Sequence, residues 1–476
     1  MGHVFSLSNL IKAYRYLKKN GAAAAFSAVQ ERILQDGKND WKYQRPDRET
    51  LEAQRKDAIA SSEAATSLDT MASSETMVSS ETAVSSEPAA SAEGKGAPVL
   101  FSIAVPAFKT NPVYLKELLD SLQEQSYPYW ELLLADAGGE DSMEQAVRER
   151  KDDRIRYIRL EANEGIAGNT NAAICRASGR YIGLLDHDDV LTPDALYEMA
   201  HALKEKEKRG IHPIFLYSDE DKWDGEDSYY EPHHKLDFNL DLLLSNNYIC
   251  HFLVMEASLM KRLLLRPGFD GAQDYDLVLR ASADVLRDKA EELCVHIPKV
   301  LYHWRCHKES TASNPASKTY AYEGRRALED FAKNQGWNVR IHDTRHLGFY
   351  RMEFLPDVLS QRKDIAAAAG PLPSVKGKLI SGIYDTDRQG NTKMRYQGLR
   401  RSFSGYMHRA VLQQDVETAD IRTMQVSPQW QSALDHALQK IREGADPIQT
   451  SIHLCKEMRK EGFRILWDPC RKEGTH

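Results

Sequence analysis

Apolar and polar positions follow two kinds of pattern over residues 98–190. Short apolar runs of strand length cover residues 98–105, 130–135, 155–158 and 181–185. Between the first two runs, leucines recur at helical spacing: Leu115, Leu118, Leu119 and Leu122. A second helix is expected from about Ile166 to Gly179, between the third and fourth runs. Strands that alternate with helices predict an α/β fold, in which a mostly parallel sheet has helices on both faces.

The fourth apolar run ends in four polar residues, Asp186, His187, Asp188 and Asp189. In α/β sheets, ligands bind outside the carboxyl ends of the strands, which is where these residues are expected. Carboxylates this close together repel one another unless a cation or hydrogen bonds hold them. Hard oxygen ligands suit Mg²⁺ or Mn²⁺ that carries a phosphorylated ligand. From these residues alone, an Asp-rich turn before the next helix is an equally good interpretation.

Five motifs follow one another along roughly residues 98–350. They read VPAFKTNPVYLKELLDSLQEQSYPYWELLLADAGG, NEGIAGNTNAAICRASGRYIGLLDHDD, YSDEDKW, GAQDYDLVLR and YHWRCHKEST. In this order they resemble the motifs of family 2 glycosyltransferases of the GT-A fold, most of all the bacterial surface-polysaccharide branch with its rhamnosyltransferase-like members. The resemblance implies a Rossmann-like sheet, a nucleoside-diphosphate-sugar donor and a divalent metal, Mn²⁺ or Mg²⁺.

By motif position, the resemblance also implies a set of donor-binding residues. The set is Pro106, Phe108, Asp136, Gly165, Asn169, Asp186 and Arg305. Phe108 would stack on the donor base, and Asp136 would accept a hydrogen bond from the base edge. Arg305 would pair with the donor pyrophosphate. Many relatives have a second Asp where this chain has Ala137, which weakens the expectation for the base contacts but not for the fold.

The same resemblance implies the metal ligands and the base. Asp186 and Asp188 would bind the metal, and His303, preferred over His307, would complete its shell. Asp274 matches the carboxylate that, in inverting relatives, takes the proton of the acceptor hydroxyl.

The acceptor side is predicted at four residues: Asp219, Asp221, His187 and Trp304. For the two carboxylates, a solvated acidic turn is an equally good interpretation. For His187 and Trp304, a structural or core position is the alternative.

Composition excludes some partners. The 476-residue chain has a formal net charge of −7, so it has no general basic field for nucleic acid.

Its six cysteines show no Cys-x-x-Cys spacing, which is typical of reduced cysteines in a cytoplasmic protein. No apolar stretch approaches the ~20 residues that span a bilayer, and we expect a cytoplasmic enzyme.

Four segments are predicted along the chain. They are an N-terminal helical region (1–56), a disordered Ser/Glu/Ala-rich linker (57–97), the GT-A catalytic domain (98–355) and an α+β C-terminal appendage (356–476). The first segment contains a basic amphipathic helix, which suits either an anionic membrane surface or packing against protein. The appendage resembles the later part of a second glycosyltransferase copy without its nucleotide-binding strands. We expect the appendage either to pack on the catalytic domain or to bind acceptor glycan, in the second case through His408, Arg409 and Asp415.

These expectations combine into one functional hypothesis. The chain would be an inverting, metal-dependent enzyme that transfers a sugar to a hydroxyl of a growing cell-surface polysaccharide or lipid-linked glycan. A catalytically silent glycan-binding or scaffold protein is one alternative, suggested by the truncated appendage. A nucleotidyltransferase is the other, although residues 107–110 lack the Gly-rich basic loop that such enzymes use.

Overall fold

The structure is a computed structural model that describes residues 16–36 without 19, 41–75, and 98–471 without 140, 289 and 307–316. Among these residues, nine strands form the main sheet: β1 (Phe101–Ala107), β2 (Trp130–Asp136), β3 (Ile155–Arg159), β4 (Tyr181–Leu184), β5 (Val190–Leu191), β6 (Phe215–Trp223), β7 (Tyr229–His233), β8 (Leu253–Glu256) and β9 (Cys294–Arg305). The helices of this part are α1 (Ala22–Asp36), α2 (Arg48–Glu75), α3 (Pro112–Gln123), α4 (Asp141–Glu149), α5 (Gly165–Ile174), α6 (Ala195–Glu207), α7 (Leu240–Leu243), α8 (Ala257–Leu263), α9 (Gln273–Asp288) and α10 (Ser317–Asn334).

The strand order of the main sheet is β3-β2-β1-β4-β8-β6-β9-β5, with β7 paired to β6. Strands β3, β2, β1 and β4 are mutually parallel, and β8 is antiparallel to both β4 and β6. Strand β6 therefore has the direction of β4, and β9 is parallel to β6. As a result, the carboxyl ends of β1, β2, β4, β6 and β9 all lie along one edge of the sheet.

Helices cover both faces of this sheet, as the sequence pattern predicted. Alternate residues of a strand point to opposite faces, so Ile103 and Val105 pack against the leucines of α3, whereas Ala104 packs towards α5. The α/β fold expected from the motifs is confirmed.

The linker prediction is wrong for residues 57–75, which belong to helix α2. Ala and Glu, frequent in this segment, are good helix formers. The helix also has a surface to pack on, because Tyr197 of α6 donates to Asp57 (3.0 Å) and Lys204 donates to Ser61 (2.9 Å). Residues 76–97 and most of the predicted basic helix, 1–15 and 19, lie outside the described residues.

The chain continues through the hairpin β10 (Val339–Asp343) and β11 (Tyr350–Phe354) into a second, smaller sheet. This sheet has the order β17-β19-β12-β18, formed by β12 (Ile365–Ala369), β17 (Gln414–Asp415), β18 (Gln425–Val426) and β19 (Arg464–Trp467). Four short strands form two separate ladders: β13 (Leu372–Val375) with β14 (Lys378–Ile380), and β15 (Tyr384–Thr386) with β16 (Thr392–Met394). Three helices complete this C-terminal unit: α11 (Val358–Gln361), α12 (Gln431–Arg442) and α13 (Pro447–Lys460).

Two further properties bear on the sequence predictions. All six cysteines are unpaired. Within the described part of the chain, none of the helices combines the length and the apolar character needed to cross a bilayer.

Candidate active site

The first part of the candidate site is the loop after β1, which lies against the loop after β2. Phe108 is 42% exposed, as a ring that stacks on a ligand requires. Asp136 is instead fully buried: its carboxylate accepts from the Gly138 amide (2.7 Å) and from the Tyr157 hydroxyl (2.7 Å). This corrects the prediction of a direct base contact for Asp136. The structure places Pro106 inside β1, paired with Ala135.

The next predicted donor segment, at the start of α5, is held together by its own side chains. The Asn169 amide donates to Asn163 (2.9 Å) and its oxygen accepts from the Glu164 amide (3.1 Å). Gly165 has a φ of +79°, and a Cβ there would lie 2.2 Å from a carboxylate oxygen of Asp270. Asn169 is buried, so its side chain orders the loop and does not face a donor.

The loop after β4 presents one carboxylate and buries another. Asp186 is 53% exposed at its side chain. Asp189 is buried, where it accepts from the Tyr302 hydroxyl and from the Arg305 amide (2.7 Å). Burial raises the pKa of Asp189 well above its ordinary value, and the charges of Asp188 and Asp186 raise it further. Asp189 therefore ties the loop to β9.

Arg305 does not occupy the predicted position at the donor pyrophosphate. Its guanidinium is buried, donates to the Asp188 carbonyl (2.6 Å) and to Glu117 (2.6 Å), and lies 4.0 Å above the ring of Trp223. Because these contacts come from inside the protein, Arg305 holds the loop after β4 from behind.

His251, which the sequence analysis did not select, lies beside Asp186. One of its ring nitrogens, Nε2, is 3.9 Å from an Asp186 oxygen, and ligand atoms of Asp186, Asp189 and His251 all lie within 4.8 Å of one another. Its other ring nitrogen, Nδ1, is 3.0 Å from Glu220. This residue stands in an apolar run before β8, and no neighbouring motif in the sequence marks it as a ligand.

His303, the histidine that the motifs favoured, belongs to a different cluster. Its Nδ1 lies 2.6 Å from a carboxylate oxygen of Asp221, and the ring is buried between Tyr43 and Tyr229. The indole of Trp41 also donates to Asp221 (2.9 Å). The structure therefore corrects two predictions: His303 is not beside Asp186, and Asp221 does not face an acceptor.

The other acidic residues of β6 are paired as well. Asp219 is buried and interacts with His296 (2.8 Å) and His234 (3.0 Å), so it is not the predicted acceptor-side carboxylate. Glu220 points to the opposite face of the strand, towards His251.

Asp274 lies at the start of α9, where the sequence placed it. Its Oδ2 accepts from the Asn247 amide (2.7 Å) and from the Cys250 thiol (3.4 Å). Partial desolvation raises the pKa of Asp186 above its ordinary value. The charges of Asp188 and Asp274 raise it further, whereas His251 lowers it. Asp274 and Asp186 are therefore close enough for their charges to interact across Cys250 and His251.

The remaining predicted residues are half-buried around this cluster. Trp304 has its ring centroid 6.0 Å from that of His251. The Nδ1 of His187 is buried and, among the described residues, has no hydrogen-bond partner.

The C-terminal residues expected to contact acceptor are engaged with protein instead. Arg409 donates to the His234 carbonyl (2.5 Å), and the ring of His408 stacks on His346 at 3.6 Å. Asp415 accepts from the amide of Asp241 (3.1 Å). These contacts seat the C-terminal unit on the larger sheet and do not leave the three side chains facing a glycan.

Comparisons with known proteins identify the domain that contains this site. Residues 102–264 match the model of Glycosyl transferase family 2. An uncharacterized protein of Sinorhizobium fredii is 39% identical over 250 residues, which are 51% of this chain and 26% of that protein. The O-antigen biosynthesis protein RfbC of Myxococcus xanthus is 33% identical over 247 residues, which are 51% of this chain and 19% of that protein. The crystal structure of S. aureus TarS 1-349 is similar with 17% identity and a TM-score of 0.38, over 48% of this chain and 64% of that one.

The residues that match this family model include strands β1 to β8 of the main sheet. The resemblance that the motifs carried is thereby confirmed. The chain spans about a quarter and a fifth of the length of the two relatives named above.

Proposed function

We propose that the chain is an inverting, metal-dependent glycosyltransferase. It would transfer a sugar from a nucleoside-diphosphate-sugar to a hydroxyl of a growing cell-surface polysaccharide or lipid-linked glycan. One observation carries the proposal: at the carboxyl-end edge of the sheet, His251 lies beside Asp186, and the Cys250 thiol contacts both His251 (3.5 Å) and Asp274 (3.4 Å). Residues 102–264, which build most of this sheet, match the model of Glycosyl transferase family 2. The similarity to an O-antigen biosynthesis protein supports a surface glycan as the product.

The donor base would lie over Phe108, whose ring is exposed beside the end of β1. Asp136 would support this subsite from behind, because its carboxylate accepts from the Gly138 amide. The neighbouring Ala137 amide donates to the Ala107 carbonyl (2.9 Å). This arrangement keeps the loops after β1 and β2 together as one wall of the site.

The donor set at the loop after β4 fits a divalent cation. Ligand atoms of Asp186, Asp189 and His251 lie within 4.8 Å of one another, so two carboxylates and a ring nitrogen are together here. Asp188, on the same loop, would add a further carboxylate. A bound cation would stabilise the charge that develops on the leaving diphosphate. Asp189 and Arg305 hold this loop in place through Tyr302 and β9.

Asp274 would act as the general base. Its Oδ2 accepts two hydrogen bonds from the protein, which leaves Oδ1 for the acceptor hydroxyl. The proton of that hydroxyl would pass to Asp274 as its oxygen attacks the anomeric carbon. The bond between the anomeric carbon and the diphosphate breaks on the opposite face, so the configuration inverts.

The acceptor would approach past His187 and Trp304, the two predicted acceptor-side residues that lie around the cluster. A lipid-linked acceptor would be met at the cytoplasmic face of a membrane. The N-terminal region supports such a contact, because Phe26 and Val29 of α1 are 65% and 45% exposed. Basic residues precede them: Lys12, Arg15, Lys18 and Lys19.

The variant Asp274→Asn tests the proposed function. Release of nucleoside diphosphate from a panel of UDP-, dTDP- and GDP-sugars should fall about 10²–10⁴-fold, the usual contribution of a general base. Nucleotide affinity, measured by calorimetry, should change little because Asp274 lies on the acceptor side.

Asp284→Asn on the same helix is the matched control, since the ion pairs of Asp284 with described residues are those with Arg262 and Arg287 on the surface. Near-normal turnover in Asp274→Asn, or an equal loss in both variants, would refute the assignment of the base.

A further inference from the structure

The orientation of His251 is fixed by a carboxylate behind it. Its Nδ1 lies 3.0 Å from Glu220, which is buried. The other ring nitrogen, Nε2, lies 3.9 Å from an Asp186 oxygen. The contact between Nδ1 and Glu220 therefore fixes which ring nitrogen faces Asp186.

A buried lysine fixes the backbone that carries this histidine. Lys235 has no exposed side-chain surface, and its ammonium donates to the carbonyls of Ile249 (2.6 Å) and His251. The same ammonium lies 3.4 Å from Glu220, which balances its charge. Glu220 therefore supports His251 twice, through the ring and through the backbone.

Tyr302 supports the histidine ring from one face. The two rings are stacked, with centroids 4.5 Å apart and planes 8° apart. The Tyr302 hydroxyl donates to Asp189, so one side chain orients both the histidine and a neighbouring carboxylate. A ring that is stacked, hydrogen-bonded at Nδ1 and close to carboxylates at Nε2 has the arrangement of a histidine that ligates a metal.

Building on the proposed function, we propose that His251 is the nitrogen ligand of the divalent cation and that Glu220 is its positioning residue. We further infer that this nitrogen makes the site prefer Mn²⁺ over Mg²⁺. Mg²⁺ is a hard ion that takes oxygen ligands in a strict octahedron, whereas first-row transition-metal ions accept imidazole. A site built only from Asp186 and Asp188 would lack that preference.

The test uses the full chain, freed of metal, with Mn²⁺ as the probe and with or without UDP. Pulsed electron paramagnetic resonance of bound Mn²⁺ should show coupling to a histidine nitrogen. The coupling should disappear in His251→Gln and persist in His303→Gln, the variant of the histidine that contacts Asp221. Mn²⁺ affinity should fall at least tenfold in His251→Gln, and the preference over Mg²⁺, measured by competition, should fall with it.

Glu220→Gln should lower Mn²⁺ affinity about 10–100-fold, the usual effect of losing such a supporting partner. If this variant does not fold because Lys235 loses its counter-charge, the His251→Gln spectrum still decides the outcome. The proposal is overturned if no Mn²⁺ binds, if the wild-type spectrum lacks nitrogen coupling, or if the coupling survives in His251→Gln.

This test is separate from that of the proposed function. Nitrogen-coupled Mn²⁺ in a chain that transfers no sugar would refute the transfer reaction and keep the metal site. Sugar transfer with a Mn²⁺ signal that lacks nitrogen coupling would refute His251 as the metal ligand and keep the transfer reaction.

Discussion

At the level of single residues, the carboxylates near the candidate site differ in burial and in how many of their oxygens accept hydrogen bonds from the protein. Asp136 and Asp189 are buried, and both oxygens of each accept from the protein. Asp186 is half-exposed, and the hydrogen bonds to Asp274 from Asn247 and Cys250 both go to its Oδ2. A carboxylate whose oxygens are already used orders a loop, and an accessible one is able to bind a cation or a proton.

Arg305→Lys is expected to weaken the fold as well as nucleotide binding. A lysine ammonium keeps the charge but cannot reach both the Asp188 carbonyl and Glu117, which the guanidinium contacts together. Loss of one such hydrogen bond should lower the free energy of unfolding by about 1.5–3 kcal/mol. Urea denaturation and calorimetry with UDP measure the two effects.

Arg287→Lys, on the exposed side of α9, is the control for the Arg-to-Lys change. If Arg305 instead bound the donor phosphates, its Lys variant would keep the wild-type urea midpoint and lose only nucleotide affinity. That result would contradict the structural role.

Local signals were enough to predict which elements carry Asp186 and Asp274. Asp186 follows the apolar strand β4, and Asp274 lies in the first turn of the amphipathic helix α9. The roles of His303 and Arg305 depend on partners that are 82 and 116 residues away in the chain, Asp221 and Asp189. A single sequence does not show which of several carboxylates such a residue meets.

At the scale of the elements, α1 has one face on protein and another face exposed. Glu31 accepts from the amides of Ser404 (2.9 Å) and Gly405 (2.6 Å), at the start of a helical turn over residues 406–411. The carboxylate thereby satisfies amides that the turn itself leaves unpaired. Phe26 and Val29 lie away from this contact, so the exposed apolar face of α1 is held in a fixed position.

The double variant Phe26→Glu, Val29→Glu is expected to reduce membrane binding. Intact chain should float with vesicles that contain anionic phosphatidylglycerol and float less with purely zwitterionic phosphatidylcholine, because basic and apolar side chains act together. The variant should lose most of the flotation, since two carboxylates repel the anionic surface.

Val113→Glu, Val375→Glu is the charge-matched control, because both valines are exposed on other elements. Equal flotation of the two double variants, or of the intact chain on both kinds of vesicle, would contradict a membrane contact through α1.

At the scale of the whole molecule, buried charges join the C-terminal unit to the large sheet. Arg362 is fully buried between Asp241 (3.0 Å) and Asp364 (2.6 Å). Removing one partner of a buried ion pair costs about 3–5 kcal/mol, so this contact keeps the two parts together. The sequence indicated an appendage near residue 356, but the pairing of Arg362 with a residue of α7 depends on the three-dimensional fold.

We propose that the carboxyl-end edge of the large sheet is a metal-dependent sugar-nucleotide site. Calorimetric titration of UDP, dTDP and GDP into the full chain, with and without Mn²⁺, measures that dependence. At least one nucleotide should bind in the presence of Mn²⁺, and its affinity should fall at least tenfold without the metal and in Asp186→Ala. Binding that is unchanged by metal removal and by Asp186→Ala, or no binding of any of the three to folded chain, would contradict it.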